Sequence, residues 1–387
     1  MHGSSVVVGI GESRYYKRGA SPDPEFVLAC QAIRRAADDA GIDVRDIDGI
    51  VSYADQRNPP VRLAAALGLR KLNFTADPFS GGGNNVAATI QLADAAISAG
   101  YAKNVVAFRA IAQGQFGRFG QSREGTARAN PAMAWSGVYG LLSPAMECAI
   151  HTRRFMEDHG VSQEALCDIV LACYSNAQRN PRALRNGTNL TREDYHDSRW
   201  ITEPFHLYDC CPENDGAAAA IVTSPERARD LPSKPVSIVA AAQCLGPRFG
   251  MSAFQPRWLG GSFYHDAGET LWQNAGIRPL DVDVVQFYEN FSGMVLITLC
   301  EMGFCKPEEV EAFVANGALE GPEARTPFNT SGGNLAEAYI HGFELINEAV
   351  RQVRGESTCQ VADVATSLVV GGPGYAPAST VLFGPAQ

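Results

Sequence analysis

No stretch of this chain is apolar over the ~18 consecutive residues that a membrane-spanning helix needs. The first residues, MHGSSVVVGIGESRYY, have neither the basic start nor the long apolar segment of a secretory leader. Basic residues are in deficit, 32 Lys and Arg against 42 Asp and Glu. The net charge of −10 argues against an electrostatic hold on nucleic acid or an anionic membrane. The ten cysteines include no CxxC pair, so neither a zinc site nor a disulfide framework is expected. Dinucleotide-binding glycine fingerprints, P-loops and metal-ligand clusters are missing too, and no metal or separate cofactor is expected. What remains is a chain of 387 residues, 45% hydrophobic and 19% charged, too apolar for disorder and long enough for two cores. These properties predict a cytoplasmic α/β enzyme.

Apolar β-branched runs alternate with alanine-rich amphipathic stretches, the pattern of layered α/β structure. Residues 6–10, 48–53 and 104–110 read as strands. Residues 25–40, closed by Gly41, and 84–99, closed by Gly100, read as helices. From Gln113 to about Pro131 the composition shifts to Gly, Arg, Gln and Asn, which reads as a long exposed loop. Residues 143–159 and 162–176 look like a helical insertion. A second α/β run follows Pro232-Ser233-Lys234-Pro235, which reads as a hinge. The expected division is 1–234, with an insertion at about 113–205, and 235–387.

An internal repeat supports two similar halves. Ala40-Gly41-Ile42 and the run Asp46 to Tyr53 match Ala275-Gly276-Ile277 and the run Asp281 to Tyr288 without a gap, at an offset of 235 residues. Gly82-Gly83-Asn84 and the helix after it are echoed by Gly332-Gly333-Asn334 at an offset of 250 residues. Helix N-termini attract negative charge, so a site for a developing oxyanion is expected where the two glycine turns meet.

Three motifs carry a family resemblance. Asp209-Cys210-Cys211-Pro212-Glu213-Asn214-Asp215-Gly216-Ala217-Ala218-Ala219-Ala220 is similar to a DCCPxxDGAAAA segment, Asn329-Thr330-Ser331-Gly332-Gly333 to an NPSGG turn, and the stretch Tyr288 to Phe291 stands where an HDCF motif belongs. Together they resemble the thiolase superfamily, in its sterol-carrier-protein-x-like branch, over essentially the whole chain. The resemblance implies a thiolase fold: a five-layer αβαβα sandwich of two pseudo-symmetric halves, with a loop domain inserted in the first.

The departures from that family set the expected chemistry. The position of the thiolase nucleophile, counted back from Gly100, is Gly83, which has no thiol. The family's oxygen-binding histidine corresponds to Tyr288. Ten residues after Asn329, where the activating histidine would stand, is Tyr339, and a second family cysteine is replaced near Val369. Covalent acyl transfer needs a nucleophile paired with a base, and both are gone. A phenol still gives and accepts protons at one atom.

This combination resembles the thiolase-fold aldolases of steroid side-chain catabolism, historically labelled lipid-transfer proteins. It implies retro-aldol cleavage of a β-hydroxyacyl-CoA bearing a tertiary alcohol, to a 17-ketosteroid type of ketone and propionyl-CoA or acetyl-CoA. CoA is then part of the substrate. Loss of the cysteine is expected to leave room for the bulky carbon being cleaved. Tyr288 and Tyr339 are the expected acid–base pair. Backbone N–H groups around Gly83, Asn84, Ser331, Gly332 and Gly333 are expected to hold the thioester oxygen. Glu289 and Asn290 either orient Tyr288 or cap the next helix, and Asn290 is also a substrate-contact candidate. His341 is another, although on a helix it would face away from Tyr339 and be structural. Cys210 and Cys211 read as buried packing. Arg248 and Arg257 are candidates for CoA phosphate, with a solvated loop the alternative. The resemblance further implies a homodimer core that recruits a small OB-fold, zinc-ribbon acyl-CoA-binding protein into a heterotetramer. Two other readings stay open: a catalytically silent subunit of a heteromeric acyl-CoA complex, and an acyltransferase with a displaced nucleophile.

Overall fold

Small residues bring the first helix and first strand together. Glu25–Ala40 turns buried Ala29, Ala32, Ala36 and Ala40 toward strand β1 (Val6–Glu12). Opposite lie Gly9 and Gly11, where an added Cβ would stand 2.1 Å from the Ala36 carbonyl oxygen and 2.3 Å from the Ala36 nitrogen. Gly41 ends the helix with a left-handed φ of 71°, a conformation that strains any residue with a Cβ. The computed structural model describes residues 5–54, 57–78, 82–116, 137–245, 263–372, 374 and 377–386.

Along the chain follow β2 (Tyr16–Lys17), β3 (Gly49–Val51), β4 (Phe74–Ala76), β5 (Asn104–Ala112), β6 (Trp200–Thr202), β7 (Phe205–His206), β8 (Asn214–Thr223), β9 (Val236–Cys244), β10 (Val284–Phe287), β11 (Ser367–Gly371) and β12 (Ala378–Pro385). One sheet runs in the order β10-β11-β12-β9-β1-β8-β5-β3-β4, with β2 pairing β8. Its two halves join at the short β1–β9 contact, Val6 opposite Ser237 and Val7 opposite Val236. Helices Val86–Ser98 and Phe343–Arg354 lie between the halves and pack on strands of both. Glu25–Ala40 covers β1, β5 and β8 from outside, and Phe263–Ala275 covers β9 and β12. The layers are therefore helix, half-sheet, central helices, half-sheet, helix, the thiolase architecture. Among the described residues no helix is long and apolar enough to cross a membrane.

The first repeat is structural. Glu25–Ala40, Gly41, the 3-10 turn Val44–Asp46 and β3 recur as Phe263–Ala275, Gly276, the turn Pro279–Asp281 and β10, with the two glycines at φ 71° and 69°. The second echo breaks off. Gly82–Asn85 leads straight into Val86–Ser98, whereas Gly333–Ala336 is a separate short helix and the long one starts only at Phe343. The glycines Gly332, Gly333 and Gly342, at φ 105°, 58° and 84°, turn the chain away from a continuous helix.

The segment expected as a hinge is fastened down. Lys234 donates through Nζ to the carbonyls of Val353 and Arg354 at 3.3 and 2.9 Å, and Arg354 Nε donates back to the Lys234 carbonyl at 2.9 Å. Between β5 and β8 stand the helices Pro144–His159, Gln163–Gln178 and Arg192–Asp197 and the β6–β7 hairpin. Ser143 and Ser162 cap the first two, accepting from the N–H groups of Met146 and Glu164. Both helices pack on Ser292–Glu301 of the second half. The long loop expected from residue 113 opens with the 3-10 turn Gln113–Gln115; residues 117–136 lie outside the described residues.

Candidate active site

Strand β10 delivers Tyr288 to its site, and Asn329 fixes the register. The Asn329 side chain accepts from Phe287 N–H at 2.8 Å and donates to the Phe287 carbonyl at 3.0 Å, so it acts as one residue of a neighbouring strand. Tyr288 N–H donates to the Val370 carbonyl at 2.9 Å. The ring, 1% exposed, lies over Gly83 and Gly342. A Cβ on Gly83 would stand 1.9 Å from Tyr288 Cε2, and one on Gly342 would stand 2.7 Å from Cδ2. The space freed at the thiolase nucleophile position is thus filled by Tyr288 itself. This corrects the expectation that it accommodates the substrate's carbon.

Tyr339 sits in the irregular segment between Gly333–Ala336 and Phe343–Arg354. Its backbone N–H donates to Asn214 Oδ1 at 2.6 Å, and Asn214 N–H donates to Gln113 Oε1 at 3.1 Å. The first half therefore positions this residue of the second. Tyr288 donates its hydroxyl to the Tyr339 oxygen at 2.7 Å, with ring centroids 6.0 Å apart. A cavity of about 230 Å³ opens beside them, with Tyr339, His341, Asn290, Gly82, Cys210 and Cys211 among its walls. Tyr339 faces it, and Tyr288 stands behind.

The motif resembling DCCP meets the one resembling HDCF in space. Cys210 bridges to Phe291 as an antiparallel pair, and Cys211 N–H donates to the Asn290 carbonyl at 3.0 Å. Asp209 holds the other side, accepting from the Tyr195 and Ser292 hydroxyls and from His206 N–H. Burial pushes the Asp209 carboxyl up to about 7. Cys210 and Cys211 are half-buried, pack against the core as expected and also line the cavity, and burial pushes both thiols up, so they stay protonated. Asn290 is 3% exposed and lines the cavity, and its Oδ1 has no hydrogen-bond partner among the described residues.

Glu289 turns away from Tyr288. Its carboxyl accepts from Leu335 N–H at 3.2 Å and from Asn334 Nδ2 at 2.8 Å, and burial pushes it up to about 8. An added Cβ on Gly333 would stand 2.0 Å from Glu289 Oε1. The Gly332-Gly333 turn thus faces a side chain of the chain itself. Ser331, Gly332 and Gly333 are buried and absent from the cavity wall, so the expectation that they hold the thioester oxygen is not met. Asn84 is likewise a brace: Nδ2 donates to the Pro377 carbonyl at 2.9 Å and its own carbonyl accepts from Ser379 Oγ. Gly82, one residue before Gly83, is the member of that turn on the cavity.

His341 departs from expectation in the other direction. Because the chain is not helical there, with φ 53° at His341, the imidazole shares the cavity wall with Tyr339, ring centroids 5.0 Å apart. Arg109 Nε donates to its Nδ1 at 3.2 Å, and the Tyr53 hydroxyl donates to its carbonyl at 2.7 Å. Burial, with the Arg109 and Arg57 charges, holds this imidazole well below the usual histidine range. Sequence reasoning missed Arg109, although it is the one charged residue in the run NVVAFRAIA and is 2% exposed. Arg248, Arg257 and residues 79–81 lie outside the described residues. Two groups with metal-ligand spacing, Glu164–Cys167–His196 and His265–Asp266–Glu269, stand away from the cavity wall, and Arg192 already pairs with Glu164 in the first.

Residues 255–384 match the family model described as thiolase C-terminal domain-like. The chain is 39% identical to the 17-hydroxy-3-oxo-4-pregnene-20-carboxyl-CoA lyase of Mycobacterium tuberculosis, over 99% of this chain and 100% of the relative. It is 37% identical to the steroid side-chain-cleaving aldolase of Thermomonospora curvata, over 99% and 98%. The solved structure of the Ltp2-ChsH2(DUF35) aldolase matches with a TM-score of 0.92 and 36% identity, covering 99% of this chain and 98% of that one. At 39% and 37% identity over nearly its whole length, the chain belongs to the thiolase-fold family of steroid side-chain-cleaving aldolases, which are carbon–carbon lyases.

Proposed function

We propose that this chain cleaves a β-hydroxyacyl-CoA with a tertiary alcohol by a retro-aldol reaction, to a ketone of the 17-ketosteroid type and propionyl-CoA or acetyl-CoA. The observation that carries the reading is the Tyr288–Tyr339 hydroxyl pair, 2.7 Å apart, with Tyr339 at the cavity wall. Tyr339 meets the substrate. As the bond between the α- and β-carbons breaks, its electrons pass into the thioester to form an enolate, and Tyr339 accepts the β-hydroxyl proton while the proton it carried passes to the α-carbon, so neither phenol is ever doubly protonated. One proton in and one out leaves both phenols as they began, so no thiol, metal or outside base is required. Tyr288, donating to the Tyr339 oxygen, stabilises negative charge there while the proton is in transit.

The lyase and aldolase names of relatives 39% and 37% identical support an active enzyme over a silent subunit. We also infer a homodimer core that recruits two small OB-fold, zinc-ribbon acyl-CoA-binding proteins. The name of the structural relative, Ltp2-ChsH2(DUF35) aldolase, supports the partner. Arg248 and Arg257 stay candidates for the CoA phosphates. The test is incubation with 17-hydroxy-3-oxo-4-pregnene-20-carboxyl-CoA, the thioester in the relative's name, following products by mass spectrometry. Equal amounts of ketone and propionyl-CoA are expected. No cleavage by the chain, alone or with its partner, would favour the silent subunit.

A further inference from the structure

A retro-aldol site needs a hydrogen-bond donor for the thioester oxygen, where the enolate's charge collects. The Gly332-Gly333 turn does not supply it, because that turn lies behind the cavity wall and faces Glu289. Around the cavity the structure offers a different donor, and a single hydrogen bond fixes its identity.

Arginine stays protonated at all accessible pH, so Arg109 Nε is always a donor. Its partner at 3.2 Å, His341 Nδ1, must present a lone pair. The one ring proton of a neutral imidazole is then on Nε2, away from the arginine. Other groups over-determine the ring's position. The His341 carbonyl accepts from Tyr53 at 2.7 Å, and the backbone is held at φ 53°, a left-handed conformation that a non-glycine residue adopts at an energetic cost. Tyr53 is the counterpart of Tyr288 in the internal repeat, so each half contributes one tyrosine to the segment Tyr339–His341.

We propose that His341, fixed as its Nε2–H tautomer by Arg109, donates to the thioester oxygen of the bound acyl-CoA and stabilises the enolate. His341 is then a catalytic residue and Arg109 a positioning residue. Among the described residues, the charged and titratable groups around the ring include Arg109 and Arg57, Tyr53 and Tyr339, and the cavity-lining Glu213, Cys210 and Cys211. Arg109 and Arg57 oppose a positive imidazole, so His341 stays a neutral donor through the working pH range. The proposal rests on the retro-aldol reading for the enolate, but thioester binding by itself suffices to test it.

The experiment uses the full chain with bound propionyl-CoA labelled with 13C at the thioester carbonyl. Isotope-edited infrared spectra report how strongly that carbonyl is polarised. The wild type is expected to shift the carbonyl band to lower frequency. The shift should be lost in His341→Leu and retained in Tyr339→Phe. It should be partly restored in His341→Gln, which keeps a side-chain N–H. Cleavage by His341→Leu should fall about 100-fold or more, with KM changed much less. In Arg109→Met, which keeps the imidazole, histidine 15N spectra should show the Nδ1–H tautomer appearing, and the kcat profile should gain an acid limb that the wild type lacks. A wild-type band shift without any cleavage would remove the retro-aldol reading and leave the donor standing. Full cleavage with an unchanged band shift in His341→Leu, or an Nδ1–H tautomer in the wild type, would overturn the donor.

Discussion

The ring of Tyr288 occupies the place where a side chain on Gly83 would begin, 1.9 Å from the position of its Cβ. A nucleophile at residue 83 and this tyrosine rotamer exclude each other. Losing the thiol and gaining the phenol are therefore one structural change. Gly83→Cys should fail to make a thiolase, because it displaces Tyr288 and there is no activating histidine at Tyr339. We expect aldolase activity to drop at least 100-fold and stability to fall by about 1–3 kcal/mol, the scale of overpacking. Product analysis and denaturant unfolding check both.

Tyr339→Phe and Tyr288→Phe each remove one hydroxyl from the 2.7 Å pair. Each should lower the cleavage rate by about 100-fold or more with little change in acyl-CoA binding. The double variant should be scarcely worse than the poorer single, since groups acting as a unit are non-additive. Single-turnover rates with calorimetric binding separate the two effects. Additive losses would mean that the phenols work separately.

The cavity thiols should be dispensable. Burial raises both Cys210 and Cys211, so little thiolate forms at neutral pH. Cys210→Ser and Cys211→Ser should cost far less than the roughly 100-fold loss expected for a positioned acid or base. Mass spectrometry during turnover should find no acylated cysteine.

Stability should fall as pH rises from mildly acidic to mildly alkaline. The Glu289 carboxyl is raised from 4.5 to about 8 by burial. Below about 4.5 it is protonated in both folded and unfolded chains. Between there and about 8 the unfolded chain ionises and gains free energy relative to the folded one, and above 8 the loss is complete. Asp209 and Glu337, each raised to about 7 by burial, act in the same direction. Melting temperatures should be higher at about pH 5.5 than at about pH 8.5, and Glu289→Gln should narrow the difference. An unchanged slope in that variant would remove Glu289 as a contributor.

Local signals made much of this fold legible. Alanine periodicity and Gly41 mark Glu25–Ala40 at both ends, and the repeat shows that β10 answers β3. The phenol pair is legible only through the family resemblance, which places Tyr288 and Tyr339 at two histidine positions of thiolases; the structure sets their hydroxyls 2.7 Å apart. Helical spacing extended past Gly333 turns His341 away from Tyr339, whereas left-handed glycines break the helix there. The Glu289 contact joins residues 46 positions apart, and the stacking of Tyr288 on Gly83 joins residues more than 200 apart. Neither is written in any local pattern. Arg109 is legible in the sequence as a signal of a buried partner, since a charge inside an apolar strand needs one.

A crystal structure with a non-cleavable ether analogue of a β-hydroxyacyl-CoA tests most directly whether a phenol pair, rather than a thiol, meets the scissile bond. The analogue's β-oxygen is expected within about 2.6–3.2 Å of the Tyr339 hydroxyl, with Tyr288 bonded behind it and no sulfur in bonding contact. A β-oxygen out of reach of both phenols, or an acyl group bonded to Cys210 or Cys211, would contradict the role of the phenol pair.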